Sequence, residues 1–158
     1  MSNTQSMCTS FMGELLTATH NFGTAPIRAA TTADTFKAAL YLTTATINAS
    51  TTAYSATGEV SGTNYTAGGV TVTNATAPAS TNSSTTAGVA YWTPSASITY
   101  TTVTLSTAFD TMLIYNSTQS NKSVSVHTFG SQTITAGTFT LTMPSNTTST
   151  ALLRLATT

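Results

Sequence analysis

The residue types that most often carry catalysis are few in this sequence and lie far apart. Its only carboxylates are Glu14, Asp34, Glu59 and Asp110, and each belongs to a different segment of the chain. Hydrolysis by acid–base chemistry usually needs two carboxylates close together in space. Since no spacing places two of them on one predicted element, the sequence does not indicate a catalytic carboxylate pair.

The histidines and the cysteine form no recognisable ligand or nucleophile pattern either. His20, His127 and Cys8 lie outside any His-X-X-X-His or Cys-X-X-Cys spacing, and a single cysteine excludes an intramolecular disulfide. The run SVSVHTF around His127 alternates like a strand, which favours a hydrogen-bonded structural histidine. No Gly-X-Ser-X-Gly elbow or phosphate-binding glycine loop is present. We therefore predict a protein that is not an enzyme, with no catalytic residue, no metal ligand and no cofactor.

Aromatic side chains are the most informative residues in the middle of the chain. Tyr54, Tyr65, Tyr91, Trp92 and Tyr100 lie near predicted turns and strand starts. Three interpretations stay open. These side chains fill a core that is poor in Leu and Ile, anchor a protein interface, or stack on sugar rings.

The stretch 9–22, TSFMGELLTATHNF, has the spacing of a short amphipathic helix. Phe11, Leu15 and Phe22 recur at helical intervals, and Gly23 follows as a stop signal. This helix would cover the open face or end of a sheet, or dock onto a neighbouring subunit. It would belong to an N-terminal arm made of residues 1–33. The candidate interface residues are Phe11, Leu15, Phe22, Tyr54, Tyr65, Tyr91 and Trp92.

After Ala33 the pattern is that of β-strands separated by turns. Apolar and polar residues alternate with a period of two, and Gly and Pro residues fall between the runs. The sequence thus predicts a mainly β protein, an antiparallel β-sandwich or barrel with a short N-terminal α-helix. Residues 34–158 form its single β-domain, in which 74–88 is a long flexible loop. The strand-like runs lie at 36–43, 70–73, 98–105, 112–115, 124–126, 138–143 and 151–156.

Charge and composition exclude several classes of partner. The 158 residues include 41 Thr and 19 Ser but only four basic and four acidic side chains, and the formal net charge is zero. Arg28, Lys37, Lys122 and Arg154 form no basic cluster, which argues against nucleic-acid binding. No stretch reaches the roughly 20 apolar residues of a membrane span. The N-terminus lacks the pattern of a secretory signal, so we expect synthesis in a cytoplasm.

Several segments resemble a group of small virion structural proteins of tailed bacteriophages. The tract TFKAALYLTTATINASTTAYSATGEVSGTNYTAGGV, residues 35–70, is similar to their FK-ALY strand, Thr/Ala-rich link and T-Y-T-E-SGT-Y-AGG stretch. Its most specific part runs from Tyr54 to Gly69. Further similar segments are CTSFMGELLTATHNF (8–22), LIYNSTQSNKSVSVHTFG (113–130), TFTLTMP (138–144) and ALLRLA (151–156).

This resemblance implies a structural role in the virus particle. It predicts a capsid decoration (cement) protein on the head surface that binds the major capsid protein and bridges capsomers. It further implies a homo-oligomer, with a trimer as the usual solution at threefold positions, made in the host cytoplasm. The alternative is a tail, neck or head-fibre component with a host-glycan-binding tip. Neither hypothesis involves a nucleic acid, a membrane or a cofactor.

Overall fold

The computed structural model is mainly β, and its strands pair in antiparallel fashion, as predicted. It describes residues 3–8, 11, 14–15, 19–20, 22, 33–74, 77–81 and 88–156. These residues contain eight strands in one five-stranded and one three-stranded sheet. The strands are β1 (Ser6–Met7), β2 (Phe36–Leu42), β3 (Val70–Thr71), β4 (Ala79–Ser80), β5 (Val89–Trp92), β6 (Ile98–Asn116), β7 (Lys122–Leu141) and β8 (Leu153–Ala156).

A long hairpin of β6 and β7 forms the centre of the five-stranded sheet. The two strands have 19 and 20 residues and are joined by the turn 117–121. Their pairing runs from Asn116 opposite Lys122, beside the turn, to Ile98 opposite Leu141 at the far end. The register shifts at several points along this ladder. Such β-bulges bend paired strands and increase their twist.

The half of the hairpin nearest the turn carries the other strands of this sheet, whose order is β1-β7-β6-β2-β3. Leu40 in β2 lies opposite Met112, and Ser6 in β1 lies opposite Val126. Both faces of the sheet are covered here, so that Tyr41 is buried as completely as its neighbour Leu40. Most of the core therefore lies around β2 and the adjoining parts of β6 and β7.

The second sheet contains β4, β5 and β8 in that order. Its central strand pairs with β8 over four residues, from Val89 opposite Ala156 to Trp92 opposite Leu153. The Trp92 ring reaches the first sheet, with its centroid 6.1 Å from that of Phe36. Aromatic packing thus joins the two sheets.

Two parts of the predicted fold class are not seen. The described strands do not close into a sandwich or barrel, since the far half of the hairpin extends past the strands that flank its other half. The short helix predicted over 9–22 is not seen either, and most of that range lies outside the described residues. A helix of this length is marginal on its own. The described residues of 3–22, which we call the N-terminal segment, include β1 and contact the sheet through tertiary interactions.

The strand predictions differ from the structure mainly in length. The runs at 98–105 and 112–115 belong to the single strand β6, and those at 124–126 and 138–143 lie largely within β7. Register shifts change the phase of the alternation, so that one bulged strand looks like several short ones. The region 74–88 contains the two-residue strand β4, while 75–76 and 82–87 lie outside the described residues.

Candidate interaction surface

Five of the seven predicted interface residues line one apolar groove. Phe11, Leu15 and Phe22 come from the N-terminal segment, and Tyr91 and Trp92 come from β5. The groove has a volume of about 210 Å³. Its lining is completed by Met7, Pro78, Ala90, Leu153 and Leu155.

Aromatic packing fixes the floor of the groove. The Phe22 ring stacks on Phe36 with centroids 4.4 Å apart and meets the edge of Trp92 at 4.7 Å. Trp92 Nε1 donates a hydrogen bond of 2.9 Å to Asn74 Oδ1, and Asn74 Nδ2 donates one of 2.9 Å to the carbonyl of Phe22. Asn74 therefore satisfies the indole N–H and holds the backbone of the N-terminal segment against β5.

The rim of the groove consists of apolar side chains that reach solvent. Leu15 and Tyr91 are half-buried, and Leu155 in β8 is 40% exposed. Leu155 is the one large apolar side chain that is classed as exposed among the described residues. In contrast, Phe11, Phe22 and Trp92 are buried and belong to the core. A partner that filled the groove would contact the rim first.

The other two predicted interface residues, Tyr54 and Tyr65, lie elsewhere and bind a carboxylate within the fold. Tyr54 Oη donates a 2.6 Å hydrogen bond to Glu59 Oε2, and Tyr65 Oη donates one of 2.8 Å to Glu59 Oε1. The backbone N–H of Gly68 donates a third, of 2.7 Å, to Glu59 Oε1. Tyr65 Oη also accepts a hydrogen bond from the N–H of Leu40 in β2. The tract 54–69 is thereby attached to the sheet.

Three more tyrosines surround this carboxylate and complete what we call the tyrosine cluster. Tyr115 Oη donates to the carbonyl of Gly68 at 2.8 Å. Its ring stacks on Tyr54, with centroids 4.7 Å apart. Burial, with the nearby charge of Glu59, raises the pKa of Tyr115 to about 12. The cluster consists of Tyr41, Tyr54, Tyr65, Tyr100 and Tyr115.

A second, more polar cleft of about 360 Å³ lies between β7 and β8. In it, Ser125 Oγ and His127 Nε2 lie 2.8 Å apart. Burial lowers the pKa of His127 to about 4, which makes its imidazole a weak base at neutral pH. Ser125 itself is buried. The pair therefore fits the predicted structural histidine better than an activated nucleophile.

The sequence patterns missed a polar cluster at the tip of the β6–β7 hairpin. His20 Nε2 lies 2.6 Å from Glu14 Oε2, and Lys122 Nζ donates a 2.7 Å hydrogen bond to Glu14 Oε1. Asn116 Nδ2 lies 3.1 Å from His20 Nδ1 and donates a 2.8 Å hydrogen bond to Asp34 Oδ2. His20 and Asn116 are separated by 96 positions. No local spacing rule connects residues so far apart.

Several absences are observed among the described residues. No group of three or more His, Cys, Asp or Glu side chains is arranged to hold a metal ion in this part of the chain. The described residues also contain no helix long and apolar enough to cross a membrane. Cys8 is buried as a free thiol, and burial raises its pKa to about 11.

Comparison with known proteins found no matching family model, no matching curated protein and no matching solved structure. The similarity of the tract 35–70 to phage virion proteins consequently stays a hypothesis that these comparisons do not test.

Proposed function

We propose that this chain is a non-enzymatic structural protein of a tailed-bacteriophage particle, a capsid decoration (cement) protein. In this proposal a homo-oligomer lies on the outside of the head, binds the major capsid protein and bridges neighbouring capsomers. The sequence resemblance over 35–70 suggests the kind of particle, and the groove between the N-terminal segment and β5 suggests where contact is made.

The apolar groove is the observation that carries the proposal. Its rim combines Leu15, Tyr91 and Leu155, which come from three separate parts of the chain. Aromatic and aliphatic side chains around a pocket are typical of the centre of a protein interface. Apolar contacts of this kind are insensitive to ionic strength because they involve no charges to screen. The major capsid protein is the proposed occupant.

The low charge of the chain suits a protein present in many copies on one surface. From Ser123 to Leu153 the sequence contains no Asp, Glu, Lys or Arg. Much of this stretch is the far half of the hairpin, where exposed Thr and Ser side chains keep the strand hydrated. Neighbouring copies would experience little like-charge repulsion. This feature supports dense packing on a shell and does not itself identify the shell.

Copy number in purified particles tests the proposal directly. Quantitative mass spectrometry should give a ratio to the major capsid protein near one or a simple fraction of it. A few copies per particle would contradict the decoration role and support the alternative, a tail, neck or head-fibre component. In that case a glycan screen on the isolated protein would test for a host-glycan-binding tip.

A matched pair of variants tests the groove itself. Leu155→Asp places a charge on the rim, whereas Thr135→Asp places one on the exposed part of β7 away from the groove. Both proteins should fold, because neither side chain is buried. We expect Leu155→Asp to lower binding to heads that lack the protein by at least tenfold and Thr135→Asp to bind like wild type. Equal binding by all three proteins would refute the groove as the contact.

A further inference from the structure

The polar cluster at the hairpin tip links the N-terminal segment to the rest of the fold, and the proposed function makes no use of it. Glu14 and His20 come from the N-terminal segment, Asn116 ends β6, Lys122 begins β7, and Asp34 precedes β2. The His20 side chain has no exposed surface, and that of Glu14 is only 13% exposed. The hydrogen bond between His20 and Glu14 is therefore shielded from water, while Lys122, at 39% exposed, lies at the edge of the cluster.

The orientation of the Asn116 amide is fixed by its neighbours. Its Oδ1 accepts hydrogen bonds from the backbone N–H groups of Thr118 and Gln119, at 3.1 and 3.2 Å. Its Nδ2 therefore faces Asp34 and His20, and donates one hydrogen to each. It follows that His20 Nδ1 must be the acceptor. The ring proton then sits on Nε2 and is donated to Glu14, so that His20 is in its neutral Nε2–H form.

Protonation of His20 would break this arrangement. A proton on Nδ1 would point at the Nδ2–H of Asn116, 3.1 Å away, so that two donors would face each other. The Asn116 amide cannot invert, because its oxygen would then abandon the N–H groups of Thr118 and Gln119. Because Phe11 and Phe36 pack against the His20 ring and limit its rotation, the two donors separate most readily when the N-terminal segment moves away from the hairpin tip.

The surroundings of His20 also disfavour its charged form. Aromatic rings pack around it, with the Phe11 centroid at 4.8 Å and the Phe36 centroid at 6.4 Å. Burial lowers the pKa of His20 and outweighs the opposite effects of the carboxylates of Glu14 and Asp34. The ammonium of Lys122 adds a small repulsion. The neutral ring is thus the form that the folded cluster accommodates.

We infer that protonation of His20 releases the N-terminal segment from the hairpin tip, so that this segment is an acid-controlled conformational switch. The inference does not depend on the proposed function. The direction of the pH dependence follows from linkage. A histidine that is held neutral in the folded state contributes stability that is complete above the pKa of 6.5 in the unfolded chain. That contribution is lost as the pH falls from 6.5 toward the lower pKa of the folded state. Over this interval the fraction of released segment should rise by up to tenfold per pH unit.

Cys8 provides a probe of release, because it lies in the N-terminal segment, is buried and is the only cysteine. The rate of its reaction with a pyridyl disulfide, divided by the rate for the denatured chain at the same pH, gives the open fraction. In the wild-type protein this ratio should rise between pH 6.5 and 5 while the amides of β6 and β7 stay protected from hydrogen exchange. A ratio that is flat over this range would refute the inference.

Two histidine variants identify the titrating group. His20→Gln keeps a donor toward Glu14 but cannot take up a proton, so its ratio should stay flat down to pH 5. The matched control, His127→Gln, removes the other histidine and should rise like wild type. Because the readout is the slope against pH, a general loosening by His20→Gln does not obscure it. A slope that survives in His20→Gln, or disappears in His127→Gln, would overturn the assignment.

Nitrogen NMR of the wild-type imidazoles gives a second, mutation-free measurement. At pH 7 His20 should be in the Nε2–H form and should titrate below 6.5. If His20 were instead in the Nδ1–H form, or were already protonated at pH 7, the argument from Asn116 would be wrong.

Discussion

The Glu59 carboxylate should be one of the most important polar groups for stability, and two substitutions at this position remove different numbers of its accepting oxygens. Glu59→Ala leaves three donors without an acceptor, namely the hydroxyls of Tyr54 and Tyr65 and the N–H of Gly68. Hydrogen bonds to a charged group contribute about 1.5–3 kcal/mol each, and a buried donor left unpaired costs about 1–3 kcal/mol. Water can partly replace the acceptor for the two hydroxyls, since Tyr54 and Tyr65 are both half-buried, whereas the backbone of Gly68 is buried.

Counting the buried Gly68 donor in full and the two hydroxyls in part, we expect Glu59→Ala to lower the free energy of unfolding by about 2–4 kcal/mol. Glu59→Gln keeps one acceptor oxygen, for Tyr65 and Gly68, and replaces the other by an NH2 group that faces the Tyr54 hydroxyl. Because that hydroxyl can rotate and accept, Glu59→Gln should cost about 1–2 kcal/mol. Urea denaturation followed by tyrosine fluorescence would measure both values. Thr135→Ala, on the exposed part of β7, is the control and should change the free energy by less than about 0.5 kcal/mol.

The order of these three values is the critical result. If Glu59→Ala cost less than about 1 kcal/mol, or no more than Glu59→Gln, the carboxylate would not hold the tract 54–69 on the sheet. Hydrogen exchange at the Gly68 N–H provides an independent check, since this amide should exchange faster in Glu59→Ala than in wild type.

Three further predictions concern backbone space, alkaline pH and the aromatic core. Gly69→Ala should prevent stable folding, because the residue has φ of 73° and its Cβ would overlap the backbone carbonyl oxygen of Ala38. Gly130→Ala, whose Cβ meets nothing within 4 Å, is the soluble control to compare by circular dichroism. The contribution of Tyr115 to stability should be complete below pH 10 and be lost as the pH rises toward 12, because the folded state raises the pKa of Tyr115 from 10 to about 12. A thermal melting temperature unchanged between pH 9 and pH 12 would contradict this. Phe22→Ala should lower the free energy of unfolding by about 3–5 kcal/mol in denaturant titrations, as expected for a buried aromatic ring. Leu155→Ala, at the exposed rim, should lower it by less than about 1 kcal/mol. Equal losses in the two variants would show that Phe22 is not part of the core.

The strands could be predicted from the sequence where their alternation is local and uninterrupted. The run beginning at Phe36 is predicted to within a residue of β2, since every second side chain is apolar and the one register shift against β6 comes at the end of the strand, between Tyr41 and Leu42. The alternation did not reveal that Tyr41, on the supposed polar face, is also buried. That burial depends on the tract 54–69, whose position follows from hydrogen bonds to Glu59 and not from the period of β2.

The sequence names five of the residues that line the groove, but it does not predict which of them contact each other. The sequence points to Phe22 by its helical spacing and to Trp92 by its aromatic ring, yet their contact at 4.7 Å joins segments 70 residues apart. The hairpin-tip cluster was missed for the same reason, since His20 meets Asn116 only because β6 ends beneath the N-terminal segment. Spacing rules describe neighbours on one helix or strand, whereas these contacts are set by the order of strands in the sheet.

The position of β1 at the edge of the sheet has a consequence for synthesis of the chain. Ser6 pairs with Val126, a residue that is translated 120 positions later. At roughly 5–20 residues per second, the ribosome needs on the order of ten seconds to supply that partner. Contacts between residues so distant in sequence also form slowly, because a long loop must close first. The β6–β7 hairpin, with its short turn, has local contacts and can form before β1 joins it. The earliest-made residues of this sheet are therefore among the last to be placed, and they stay accessible to chaperones and proteases until the hairpin has formed.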